Sequence, residues 1–203
     1  MQINEQKKDK KLKSRDFITL GIFSVLFIIV CFLCIFASSI AVVTQPFGIA
    51  IAALLGGTIY MYMRAKVNKF GGVLITGVLL ALAMLASGSG WIIVVSLLAA
   101  TAVAELLTQA GRNENFWLTT AGYAVLMTAF AASSYAPMIL MKESYYQLAM
   151  SNSVDNAYML ELLDFYTGPI LIAALAATAV CSVLGALLAK VMVKKHFSRV
   201  GMV

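Results

Sequence analysis

Six predominantly apolar runs follow one another along the chain, at Phe17–Val43, Pro46–Met63, Gly71–Leu85, Trp91–Ala110, Phe116–Leu140 and Pro169–Val193. Short polar segments separate all but the last two. A helix needs about 20 apolar residues to cross a hydrocarbon core of about 30 Å. Each run approaches that length, the third being the shortest. The pattern predicts an all-α integral membrane protein, a bundle of six transmembrane helices. Small residues recur at four-residue spacing in these runs: Ala52/Gly56, Ala53/Gly57, Ala100/Ala104, Ala173/Ala177 and Gly185/Ala189. Helices in lipid approach closely through such residues, so these pairs are expected at helix contacts within the bundle.

The longest connection runs from Met141 to Gly168. Long structured loops tend to be functional. Between Ser153 and Phe165, apolar residues fall at Val154, Tyr158, Leu162 and Phe165, with Asp155, Glu161 and Asp164 in polar positions. That spacing predicts a short amphipathic helix between the fifth and sixth spans, ended by Thr167-Gly168-Pro169. Pro169 suits the first turn of the last span.

Composition agrees with lipid as the solvent: 62% of the 203 residues are hydrophobic and 12% charged, against about 25% charged in a soluble domain. The position of the charge then sets the topology. If the N-terminus is cytoplasmic, fourteen of the fifteen Lys and Arg fall on the cytoplasmic side, and Lys142 alone lies outside. That is the positive-inside asymmetry. It divides the chain into a basic cytoplasmic tail at 1–16, a membrane domain at 17–193 and a second basic cytoplasmic tail at 194–203. The net charge of +6 therefore marks headgroup contact. No nucleic-acid partner is expected. The first run continues past Ser39 without a small-residue cleavage site, and reads as a retained span.

Catalytic chemistry finds little to work with. Glu105 is the one carboxylate well inside a span, near the cytoplasmic end of the fourth, and a structural or interface role, or a pairing with Arg112, suits it best. His196 is the sole histidine and lies on the side opposite Ser87-Gly88-Ser89-Gly90, so no serine there has a general base. Cys31 and Cys34 share a CxxC spacing, but with Cys181 they lie in apolar runs and read as packing residues. No metal cluster, nucleotide loop or cofactor is expected, and an enzyme is not. The outer ends of the spans are richer. Gln45, Trp91, Tyr135, Tyr145, Tyr146 and Tyr166 gather at one level, below the helix that carries Asp164; an aromatic belt at the lipid headgroups is the other reading of these residues, and the one that suits Trp91 better. Tyr135 lies in Ala132-Ser133-Ser134-Tyr135-Ala136-Pro137, where Pro137 weakens the local hydrogen bonds. Such breaks face protein or a cavity. Gln45, Ser89, Trp91, Tyr135, Tyr145, Asp164 and Tyr166 are accordingly the candidate substrate-binding residues of a lidded small-molecule pocket. Glu143, Asp155, Glu161 and Asp164 against Lys142 disfavour a strongly anionic ligand, and Met138 and Met141 leave room for a flat apolar one.

Six short spans, a small outer lid and no nucleotide motif resemble the substrate-binding (S) component of an energy-coupling-factor (ECF) transporter. Lys13-Ser14-Arg15-Asp16-Phe17-Ile18-Thr19-Leu20-Gly21-Ile22-Phe23-Ser24, Thr167-Gly168-Pro169 and Lys194-Lys195-His196-Phe197-Ser198-Arg199-Val200-Gly201 resemble in particular the Trep_Strep, or MptE-like, branch. The resemblance implies a multi-pass protein of the bacterial cytoplasmic membrane that takes a vitamin or other micronutrient from outside. Its implied partners are a transmembrane coupling subunit and two cytoplasmic ATPase subunits. It also implies a coupling face on the first span, where many S components carry Ala-x-x-x-Ala. The matching positions here are Gly21 and Val25, with Ser24 beside them, and Val25 departs from the pattern. Two other classes remain open, a self-contained secondary transporter or channel and a non-catalytic membrane scaffold. The first would want inverted repeats and intramembrane ion-binding groups.

Overall fold

A computed structural model describes residues 12–111 and 115–199, with side chains through Met192. Of the basic tails, Lys7, Lys8, Lys10 and Lys11 lie outside the described residues, as do Arg112 and the side chains of Lys194, Lys195, His196 and Arg199. The described residues fold into helices: α1 (Ser14–Ser38), a 3-10 turn (Gln45–Phe47), α2 (Gly48–Lys66), α3 (Gly72–Ala86), α4 (Trp91–Ala110), α5 (Phe116–Tyr135), α6 (Pro137–Leu140), α7 (Lys142–Ser151), α8 (Asn156–Phe165) and α9 (Gly168–Arg199). Among the described residues, five apolar segments are long enough to cross a membrane. They begin at Ser14, Gln45, Trp91, Phe116 and Gly168. The sixth, α3, is apolar but has 15 residues, about 22 Å at 1.5 Å per residue.

The six long helices form a ring in the order α1, α2, α9, α5, α4, α3, with α3 closing on α1 and α2 touching α5 across the middle. Phe27, Tyr60, Tyr123, Leu126 and Phe130 fill that middle and are all at most 1% exposed. The Tyr60 and Tyr123 rings lie 4.7 Å apart, and the Tyr123 hydroxyl donates to the Ala53 carbonyl at 2.8 Å. The axis of the bundle is therefore a packed aromatic core. Cys31 and Cys34 are buried in the same core.

Small residues bring α2 and α9 together backbone to backbone. A Cβ placed on Gly57 of α2 would lie 2.9 Å from the Gly185 Cα of α9, and one on Gly185 would lie 2.5 Å from the Leu54 carbonyl oxygen. Backbone meets backbone there, and only glycine leaves the space. The buried stripe of α9 continues through Ala174, Thr178, Ser182, Ala186 and Ala189. Ala173 and Ala177, expected at such a contact, sit beside this stripe, and Ala173 is exposed.

The ends of the helices differ from simple apolar counting where side chains intervene. α1 stops at Ser38 and does not run to Val43, and hydroxyls tie down its end: Ser38 and Ser39 both donate to the Ile35 carbonyl at 2.8 Å, and Thr44 donates to the Ser38 carbonyl at 2.7 Å. The 141–168 connection holds two helices, α7 and α8, where one was expected. Val154 lies in the turn between them, and Asp155 caps α8 by accepting the Tyr158 N–H at 2.8 Å.

Glu105 explains how so short a helix as α3 fits. Its carboxylate, 2% exposed, accepts the N–H groups of Gly71 at 3.0 Å, Val73 at 2.9 Å and Leu74 at 3.2 Å. The first amides of a helix have no partner within it, and a negative group there also meets the positive end of the helix dipole. Glu105 is thus structural, as expected, but its partners are backbone amides. Nearby, Arg64 donates to the Lys69 carbonyl at 3.3 Å, and Lys69 pairs with Asp16 at 2.6 Å, tying the α2–α3 turn to the start of α1. Replacing Glu105 with Ala strands one buried and two partly buried donors. It is expected to cost on the order of 3 kcal/mol, and Glu105→Gln less, as read from the unfolding midpoint in mixed micelles.

Candidate functional site

The end of the bundle opposite Glu105 carries α6, α7 and α8. Pro137 breaks α5 after Tyr135 and opens the single turn of α6, from which the chain turns into α7. The α7–α8 pair is held by side chains at both ends. Asn152 donates to the Gly88 carbonyl at 3.2 Å, and Tyr146 donates to the Asn156 side-chain oxygen at 2.9 Å. Gly88 has φ +82, and a Cβ there would lie 2.6 Å from the Asn152 side chain. The positive φ favours glycine there, and a larger residue would also push the Asn152 side chain aside. These contacts lay α7 across the start of α4 and the end of α5.

Beneath α7 is a partly open cavity of about 220 Å³, lined by Trp91 and Ile93 of α4, Ser133 of α5, and Met141, Tyr145 and Leu148 at and along α7, among others. None of its ten lining residues is charged. Trp91 stands at the rim, 70% exposed. Desolvation raises the half-buried Tyr145 hydroxyl to about 12, so it stays a neutral donor at any physiological pH.

A second cluster lies apart from that lining. The Tyr135 hydroxyl donates to the Gln45 backbone carbonyl and accepts the Ile49 N–H, both at 3.3 Å. The Tyr166 hydroxyl donates to the Gln45 side-chain oxygen. The two rings lie 5.6 Å apart, tilted by 37°, and both tyrosines are 2% exposed. This is a closed joint. It fastens the α1–α2 connection and the α8–α9 junction to the end of α5, and supplies α2 with a partner for an N-terminal amide.

A profile of a family described as hypothetical bacterial integral membrane proteins, Trep_Strep, matches residues 14–199. The chain belongs to that family. No curated protein and no solved structure matches it. The membrane character of a Trep_Strep protein agrees with the five long apolar segments seen here.

In this Trep_Strep chain the residues predicted to form one pocket divide into several places. Trp91 and Tyr145 line the cavity. Gln45, Tyr135 and Tyr166 make the joint. Ser89 sits on the adjoining turn, its hydroxyl 3.2 Å from that of Ser87, and Asp164 is exposed on α8. On α1, Ser24 turns inward and donates to the Thr76 hydroxyl at 3.0 Å. Val25 is 53% exposed, and Gly21 has open space beyond its Cα. Of the methionines considered for a flat ligand, Met141 lines the cavity and Met138 is buried in the core. Leu148 and Ser144 escaped the sequence reading because α7 did. The break at Ser133-Ser134-Tyr135-Ala136-Pro137 was the signal that did find the place.

Tyr135→Phe removes the partner of both Ile49 N–H and the Gln45 carbonyl. It is expected to destabilise the protein by about 1–3 kcal/mol, measured as a lowered thermal midpoint in detergent, while leaving the lining of the cavity intact.

Proposed function

We propose that this Trep_Strep chain is the substrate-binding subunit of an energy-coupling-factor importer. In this reading it holds a vitamin or similar micronutrient in the cavity beneath α7, at the outer face of the bacterial cytoplasmic membrane. A transmembrane coupling subunit and two cytoplasmic ATPases then drive its delivery inward, and the chain performs no covalent chemistry. The observation that carries the reading is the partly open, uncharged cavity under a tethered helical pair, off to one side of a bundle whose axis is packed solid. A binding subunit that moves as a body needs such a core. A self-contained channel needs an open path, and an ion-coupled transporter needs a carboxylate to spare. Glu105 is already engaged by three amides.

The coupling face belongs on the exposed side of α1. Gly21 leaves a notch there, bordered by Ile18, Ile22 and Val25, all more than half exposed. Ser24 belongs to the interior and serves the fold. Orientation follows the charge asymmetry: six spans, both ends inside, and α7 outside.

Two experiments test this. Tagged chain extracted gently from its native membrane is expected to bring a coupling protein and two ATPases with it. Gly21→Trp, which points into open space, is expected to abolish that recovery without lowering the thermal midpoint. Recovery of the chain alone, from a membrane that contains such a module, would favour a scaffold or a self-contained transporter. For orientation, a cysteine at position 142 in a cysteine-free chain is expected to react with a membrane-impermeant maleimide in intact cells, and one at position 66 is not.

A further inference from the structure

The cavity has features that bear on what can enter it and from where. All its lining residues come from the first turn of α4, the end of α5 with Pro137, and the Met141–Leu148 stretch. None comes from α1, α2, α3 or α9, so the cavity lies off the bundle axis, on the α4–α5 edge. Above, α7 covers it, and Asn152 fastens that cover to the α3–α4 turn. Around its rim stand Trp91, 70% exposed, and Met141, 43% exposed, with Leu140 beside them at 79%. Exposed apolar groups on a membrane-spanning bundle face lipid, and a tryptophan at the end of a span sits at headgroup level. The cavity is overlain by α7 and bordered at its side by exposed apolar groups.

Its chemistry is equally restrictive. Among the lining residues only Ser133, Ser144, Tyr145 and, through its indole N–H, Trp91 offer polar side-chain groups. The Ser133 hydroxyl gives its proton within α5, to the Ala129 carbonyl at 2.8 Å with Phe130 at 3.1 Å, and keeps only acceptor capacity. Tyr145, Ser144 and the Trp91 N–H are the donors left to address a ligand. A charged ligand would lose its hydration there and gain no counter-charge, which is strongly unfavourable. An aromatic one would meet the faces and edges of Trp91 and Tyr145.

We propose that the cavity beneath α7 binds a small, uncharged, ring-bearing molecule with one hydrogen-bonding group, which partitions into the bilayer and enters sideways past Trp91 and Met141. This rests on reading the cavity as the substrate site and narrows the micronutrient to a lipophilic, neutral one. Tyr145 orients it through its hydroxyl, Trp91 and Met141 form the gate, and Leu148 closes the far wall. An acyl chain of a lipid is a poorer occupant, because it would leave the half-buried Tyr145 hydroxyl without a partner.

The chain has two tryptophans, so Trp117→Phe leaves Trp91 as the sole reporter. In phosphatidylcholine nanodiscs, 2-naphthol is expected to quench Trp91 saturably and to raise the thermal midpoint, whereas 2-naphthoate, the same ring with a charge, does neither. Leu148→Phe, which fills the cavity, is expected to weaken naphthol binding at least tenfold. Ser144→Leu, an exposed position that needs no repacking, provides the same test should Leu148→Phe unfold. Tyr145→Phe is expected to weaken binding severalfold. Equal or tighter binding of naphthoate would overturn the proposal, as would quenching that is linear in naphthol and indifferent to both filling variants. So would quenching of Trp91 by acyl-chain-brominated lipid that naphthol fails to relieve, which would show a lipid chain in the cavity. Saturable naphthol binding by a chain that recovers no coupling protein would sink the importer reading alone. Recovery of the partners without naphthol binding would sink this ligand class alone.

Discussion

Every helix that begins inside a membrane presents amides that water does not reach, and this fold depends on how those amides are met. Glu105 meets three of them at the start of α3, from the neighbouring helix α4. That one carboxylate lets a 15-residue helix take a place in the ring between α1 and α4. At the opposite end, the Tyr135 hydroxyl does a neutral version of the same work for Ile49 of α2. Where helices start at polar positions the solution is local: Asn115 accepts from Trp117 and Leu118 at the head of α5, and Asp155 from Tyr158 at the head of α8. Lipid makes an unmet backbone donor expensive, so side chains in this bundle that look available for function are already committed.

Packing then separates rigid from accommodating parts. The α2–α9 contact is backbone against backbone at Gly57 and Gly185, and the aromatic core around Tyr60 and Tyr123 fills the space between α2 and α5. The α4–α5 edge is different at its far end. There Pro137 interrupts the hydrogen bonding of α5, the chain leaves helical geometry at Met141, and α7 lies over the end of α5 without filling the space beneath it. The cavity's lining therefore comes from consecutive pieces of two helices and a loop and not from the centre of the bundle.

Much of this was legible in the residues. The third apolar run, read as Gly71–Leu85, is α3 at Gly72–Ala86 to within a residue at each end, because glycine and serine mark both its limits. Pro137 announced the break beside the cavity. What apolar counting missed shares one cause: the partner is distant in sequence or is backbone. From the sequence, Glu105 reads as a structural or interface group with Arg112 as one candidate partner; Arg112 lies outside the described residues, and nothing in the sequence says that the amides of Gly71, Val73 and Leu74 will face the carboxylate. Gln45, Tyr135 and Tyr166 were correctly placed at one level. Level alone does not distinguish residues that bind each other from residues that surround a space. The helix α7 was hidden because it is neither a span nor cleanly amphipathic. Glu143 and Gln147 pair along its exposed side at 2.8 Å, and it buries little beyond Ala149.

The order of synthesis gives the Glu105 cap a meaning that a static structure does not display. Residues 71–74 leave the ribosome some thirty positions before the carboxylate that will hold them. Until α4 has followed, the head of α3 has only water or lipid headgroups to bond, and a helix of 15 residues gains little by leaving them. α3 and α4 therefore enter the bilayer profitably only as a pair, with the second helix carrying the group that completes the first.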